Sequence, residues 1–128
     1  MKYVIDTYAW VEYFIGSQKG RRVKKIVHDE GNSIITPECC LAELKGWCLR
    51  EKRDFEKAYF IVRSNSEIDP IFTEDWLDSA EIRHEMRRKV KGFGLIDSII
   101  VAKQRRYGCM IISGDEHFRM LKNVEYVR

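Results

Sequence analysis

The sequence runs to 128 residues, of which 45% are hydrophobic and 34% charged, and its formal net charge is +3. That length suits one domain spanning residues 1–128 with a real core, and the composition excludes a disordered or fibrous chain. The charge is only modestly basic: it is compatible with a polyanionic partner and by itself does not argue for one. No window approaches the roughly 18 uninterrupted apolar residues of a membrane helix.

Taken in chain order, residues 2–6 read as a short buried strand ending on Asp6. A helix follows over 7–14, broken by Gly16-Ser17 and Gly20, and a second over 21–29 with Val23, Ile26 and Val27 as its stripe. Gly31-Asn32 turns the chain into a strand over 33–36. Thr36-Pro37-Glu38 has the composition of a helix start: a capping hydroxyl, a proline suited to the first turn and a glutamate at the positive end. This helix is expected to run to about Leu49. A further helix is expected from Arg50 through Val62, then a turn at Ser64-Asn65-Ser66 and a short strand over 68–72. Thr73-Glu74-Asp75 opens a helix to about Lys89, with Trp76, Leu77, Ala80 and His84 as its apolar side. Gly92 and Gly94 form a connection. The helix over 95–106 is almost wholly apolar in its first half except for Asp97 and Ser98, and Gly108 stops it. A strand over 109–112, a short helix over 115–121 and a strand over 124–127 complete the chain. Strands alternating with helices predict an α/β fold: a three-layer α/β/α sandwich around a mostly parallel sheet of about five strands.

Four cysteines (Cys39, Cys40, Cys48 and Cys109) and three histidines (His28, His84 and His117) fall at no metal-ligand spacing, so the cysteines read as buried hydrophobes. No secretory leader pattern is present, and the expected location is the cytoplasm. The chemistry lies in carboxylates. Asp6 follows the first strand, Asp115 follows a late one, and Glu43 and Asp97 fall early in two helices. Parallel sheets bind ligands beyond the carboxyl ends of their strands. Like charges gathered there call for a cation or protons to compensate them. Oxygen ligands suit magnesium or manganese, and such an ion suits phosphodiester hydrolysis. Each acid has a plainer alternative: Asp6 and Asp97 as helix caps, Glu43 as a surface glutamate, Asp115 as a turn residue.

The chain resembles PIN-domain proteins, in particular the small toxin ribonucleases of the VapC type. The resemblance rests on Val4-Ile5-Asp6-Thr7, on Leu41-Ala42-Glu43 after Thr36-Pro37, on Gly94-Leu95-Ile96-Asp97-Ser98-Ile99-Ile100-Val101-Ala102, and on Ile111-Ile112-Ser113-Gly114-Asp115-Glu116-His117-Phe118, in that order. It implies that Asp6, Glu43, Asp97 and Asp115 are the catalytic and metal-site acids, with Thr7 and Ser113 as supporting hydroxyls. It also implies a Mg2+- or Mn2+-dependent endoribonuclease, a homodimer, and neutralisation by a small antitoxin protein. His117 departs from the family pattern, where another acid is frequent, and Ser113 stands where threonine is frequent. Arg83, Arg87 and Lys91, with Lys89 and Lys103 near them in sequence, are candidates to position RNA through its phosphates. The alternative is an ordinary solvated helix face. Other readings of the whole are a catalytically weak RNA-binding or scaffold protein, a stand-alone RNA-processing nuclease, and a phosphoryl-receiving switch.

Overall fold

Short apolar runs become the five strands of one sheet, and the computed structural model describes residues 1–128. The strands are β1 (Lys2–Ile5), β2 (Ser33–Pro37), β3 (Glu67–Asp69), β4 (Met110–Ser113) and β5 (Val124–Tyr126). Their order is β3-β2-β1-β4-β5, and every neighbouring pair is parallel. The connecting helices are α1 (Thr7–Ile15), α2 (Gln18–Val27), α3 (Cys39–Arg50), α4 (Phe55–Asn65), α5 (Thr73–Met86) and α6 (Leu95–Tyr107).

Side chains alternate across a strand, so a central parallel strand feeds two cores. Tyr3 and Ile5 of β1 pack with Trp10, Tyr13, Val23, Leu44 and Val62 on the side of α1–α4. Val4 packs with Ile82, Ile100, Val101 and Phe118 on the side of α5 and α6. In β4, Ile112 joins the first core and Ile111 the second. The result is the expected three-layer α/β/α sandwich.

Several elements differ from their sequence-based expectation, each for a tertiary reason. Gly20 does not break a helix. It lies inside α2 where that helix crosses α1, and a Cβ there would fall 1.9 Å from the Glu12 carbonyl oxygen. Thr36 and Pro37 are strand rather than helix start: both belong to β2, and the Thr36 hydroxyl accepts from Trp10 Nε1 at 3.1 Å. The helix α3 starts after Glu38, which makes no side-chain cap bond. The charged stretch after Arg50 is a loop, and α4 is capped by Asp54, whose carboxylate accepts from the Lys57 amide at 3.3 Å. Strand β3 precedes Pro70 instead of spanning it. The segment after Asp115 closes into a single 3-10 turn, Glu116–Phe118.

The largest departure is in α5, where the expected apolar side faces out. Trp76 and Leu77 are exposed, as are Ala80 and His84, while Asp75, Ser79, Ile82 and Met86 are buried. Lys103 of α6, expected near an RNA surface, is fully buried instead. Its ammonium lies 2.6 Å from Asp69 Oδ2, 2.6 Å from Asp75 Oδ2 and 2.7 Å from the Pro70 carbonyl oxygen. The Pro70 carbonyl and Asp75 Oδ2 accept hydrogen bonds from this ammonium, and Asp69 Oδ2 meets it as an ion pair. Arg106 adds a bond from Nε to Asp75 Oδ1 at 2.9 Å. Buried charges require such partners, and here the partners determine which side of α5 turns inward.

Candidate metal centre

The chain passes from β1 to β2 and β3 on one side of the sheet and returns to β4 and β5 on the other. The carboxyl ends of β1 and β4 therefore flank the crevice where such a sheet takes its ligand. Asp6 leaves β1 as the N-cap of α1, with Oδ1 accepting from the Ala9 amide at 2.8 Å. It is only 6% exposed. The cap and the ligand-crevice position are the same position, so the two readings of Asp6 do not compete. Ser113 ends β4, and its hydroxyl donates to Asp6 Oδ2 while accepting from the Asp115 amide. One serine thereby ties the two strand ends together.

Glu43 reaches the same region from α3. Its Oε1 accepts from the Thr7 hydroxyl at 2.7 Å. Asp97, in the first turn of α6, accepts from the Gly94 amide at 3.0 Å through Oδ2. The same oxygen lies 2.8 Å from His117 Nδ1. Asp115 Oδ1 accepts from the His117 amide at 2.9 Å and lies 3.9 Å from the His117 ring nitrogen. Asp97, Asp115 and His117 can each present a ligand atom, all within 4.8 Å of one another.

The electrostatics are those of a site short of positive charge. Burial pushes the Asp6 carboxyl up to about 7; the bonds from Ser113 and Ala9 oppose this, and Asp115 and Asp97 add to it. Burial also raises Glu43 against the Thr7 bond, and the charges of Asp97 and Asp115 raise it further. No lysine or arginine pairs with any of the four carboxylates. Only His117 does, and its bond to Asp97 raises its pKa. Carboxylate oxygens with one imidazole are a donor set that fits magnesium or, more readily, manganese.

The Asp6 shift has a consequence for stability. Between its unfolded value near 3.8 and its folded value of about 7, the folded chain keeps a proton that the unfolded chain has lost. In metal-free protein this group's contribution to stability therefore falls as pH rises through that window. Asp6→Asn keeps the cap and abolishes the titration. Above pH 7 in chelator it should be more stable than the parent by on the order of 2 kcal/mol. The gap should close toward pH 4. Urea melts across this range are the measurement, and a variant less stable than the parent at pH 8 would exclude this cost of the buried carboxylate.

Of the RNA-positioning candidates, Lys91 lines a cleft that shares Asp115 and His117 as its wall, whereas Arg83 and Arg87 do not. Arg87 Nε donates to the Phe93 carbonyl oxygen at 2.8 Å, fastening the end of α5 to the approach to α6. The same cleft is lined by Tyr8, Lys19 and Tyr126, which sequence reasoning did not single out. Tyr8 had a signal in its position beside Thr7; the other two had none.

Comparison with known proteins agrees with this architecture. The family model for the PIN domain matches residues 3–123. No curated relative matches the sequence. By fold, the chain is similar to VapC20 of Mycobacterium tuberculosis, a sarcin-ricin loop cleaving toxin. The TM-score is 0.79 at 16% identity, covering 98% of this chain and 99% of that one. It is similar to a chain of VapBC2 from Rickettsia felis, solved with a promoter DNA fragment, at TM-score 0.76 and 19% identity over 100% of both chains. A toxin-antitoxin complex from Klebsiella pneumoniae contains a chain similar at TM-score 0.67 and 20% identity, covering 95% of this chain and 94% of that one. No helix here is long and apolar enough to cross a membrane.

Proposed function

The chain belongs to the PIN-domain family, and from that premise we propose that it is a divalent-metal-dependent endoribonuclease, the toxin of a toxin-antitoxin pair. The observation that carries this reading is the convergence of Asp97, Asp115 and His117 within 4.8 Å, beside a buried Asp6 with no cationic partner. Asp6, Glu43, Asp97 and Asp115 would hold Mg2+ or Mn2+, and His117 offers a further donor. When bound, such an ion supplies positive charge to the phosphoryl oxygens and lowers the pKa of a coordinated water. Thr7 and Ser113 each occupy one carboxylate oxygen, on Glu43 and Asp6, and so fix side chains that would hold the ion. His117 orients Asp97 in the same way. Hydrolysis by water would leave a 5′-phosphate and a 3′-hydroxyl.

The likeness to chains from toxin-antitoxin complexes supports a small antitoxin protein as partner. A homodimer acting on RNA in the cytoplasm completes the proposal. The decisive experiment incubates purified protein with short mixed-sequence RNAs in Mg2+, Mn2+ or chelator and identifies the product ends. Cleavage in either metal that chelator abolishes, with 5′-phosphate ends, is the expected result. RNA binding without turnover in any metal would favour the scaffold reading instead.

A further inference from the structure

We propose that the cleft bounded by Tyr8, Lys19, Lys91 and Tyr126 is a subsite for a single-stranded polynucleotide, with unpaired bases stacking on the two tyrosines and flanking phosphates meeting the two lysines. The inference rests on the nuclease reading in taking that polynucleotide to be RNA. The cleft has a volume of about 600 Å³, and Asp115 and His117 form part of its wall. Anything lying in it therefore lies beside the acidic centre. That size falls in the range of pockets that take small organic groups.

Two features make the lining suited to this ligand. The first is unused charge: neither Lys19 nor Lys91 pairs with a carboxylate, although acids lie in the same cleft. Lys19 Nζ instead donates to the Tyr8 hydroxyl at 3.0 Å and sits 5.4 Å from the Tyr8 ring centre. A polyanion approaching four carboxylates meets repulsion, and two ammonium groups with no carboxylate partner in the same cleft offset it. The second is aromatic surface that stacks on no other ring of the protein. Trp10, Tyr13, Phe14 and Phe93 pack against other rings, whereas Tyr8 and Tyr126 pack against none. Tyr126 has the guanidinium groups of Arg119 and Arg128 at 5.7 and 5.9 Å from its ring centre, which adds positive charge at that end. Half-buried aromatic faces bracketed by cations match bases splayed from a single strand; a duplex keeps its bases stacked inside.

Gly114 makes the arrangement possible. A Cβ at this position would lie 2.8 Å from Tyr8 Cε1 and 2.9 Å from the Val127 carbonyl oxygen. Only a residue without a side chain lets the Tyr8 ring and the end of β5 approach the exit of β4 together.

The test measures binding of a short single-stranded RNA carrying 2-aminopurine, in an Asp97→Asn background that prevents cleavage. Stacking on a tyrosine should quench the probe in the otherwise unaltered cleft, a readout that needs no cleft variant. Tyr8→Leu and Tyr126→Leu, which keep apolar bulk, should each weaken binding about tenfold, while Tyr126→Phe stays within about twofold. Lys19→Gln and Lys91→Gln should each lower the slope of log affinity against log salt by about 0.7. A duplex of the same sequence should bind weakly and be indifferent to Tyr126. Affinities within twofold of the background for both folded leucine variants, or an unquenched probe at saturation, would overturn the subsite. If those variants bind normally while the parent still cleaves RNA in metal, the subsite alone fails. A parent that neither binds nor cleaves RNA removes the nuclease reading as well.

Discussion

Replacing Asp97 with asparagine should lower RNA cleavage by on the order of a thousandfold, equivalent to about 4 kcal/mol of barrier, with the fold intact. Asparagine retains an oxygen to accept from the Gly94 amide, so the first turn of α6 keeps its cap. It loses the charge that would bind a cation and that holds His117 at 2.8 Å. The same variant should bind Mn2+ more weakly by titration calorimetry, a measurement independent of RNA. Cleavage at the parental rate would remove Asp97 from the essential set, whatever the calorimetry shows. Growth arrest on expression, relieved by the same substitution, would tie the activity to a toxin role.

Replacing Lys103 with methionine should destabilise the protein by about 3–5 kcal/mol, because it leaves Asp69 and Asp75 buried without their shared cation. For a chain of this size the melting temperature should fall by roughly 10–20 °C. Burial pushes the Asp75 carboxyl up, and the bonds from Lys103, the Phe72 amide and Arg106 outweigh it, so that its pKa lies below the ordinary value. A carboxylate with a lowered pKa contributes stability above its unfolded value, and that contribution is lost as pH falls through the folded one. The parent should therefore lose this contribution only in acid, below about pH 4. Removing a charged partner along with Lys103, as in Lys103→Met with Asp69→Asn, should restore part of the loss. A single variant that melts with the parent would show that the buried network is energetically idle. Because α6 carries both Lys103 and Asp97, the network also holds the helix that delivers one of the site acids.

The strands and the acidic positions were legible because both depend on local pattern. An apolar run such as Val4-Ile5 ending in Asp6, or Ile111-Ile112 leading to Asp115, reads as a buried strand with an acid at its exit, and the sheet places it so. The interruption of the apolar first half of α6 by Asp97 and Ser98 marked that turn in the same way. What could not be read locally was the orientation of α5. Periodicity assigns Trp76, Leu77, Ala80 and His84 to the apolar side and reads Asp75 only as part of a helix start. The fold reverses this because Lys103, 28 residues further along, makes burial of Asp75 tolerable. Thr36-Pro37 has the chemistry of a helix start, yet pairing of β2 with β1 and β3 and the bond from Trp10 keep it extended.

The candidate site divides along the same line. Residue types and their order along the chain by themselves indicated an α/β sandwich with acids beyond the carboxyl ends of its strands, since hydrophobic pattern and charge are properties of neighbours in sequence. Only the tertiary structure decided that Ser113 bridges Asp6 and the Asp115 amide, and that His117 bonds Asp97. It also decided that Tyr8, Lys19 and Tyr126 share a cleft with Asp115. Those relations join residues that only the packing of separate strands and helices brings together, and hydrogen bonds and charges act over a few ångströms of space, not over sequence.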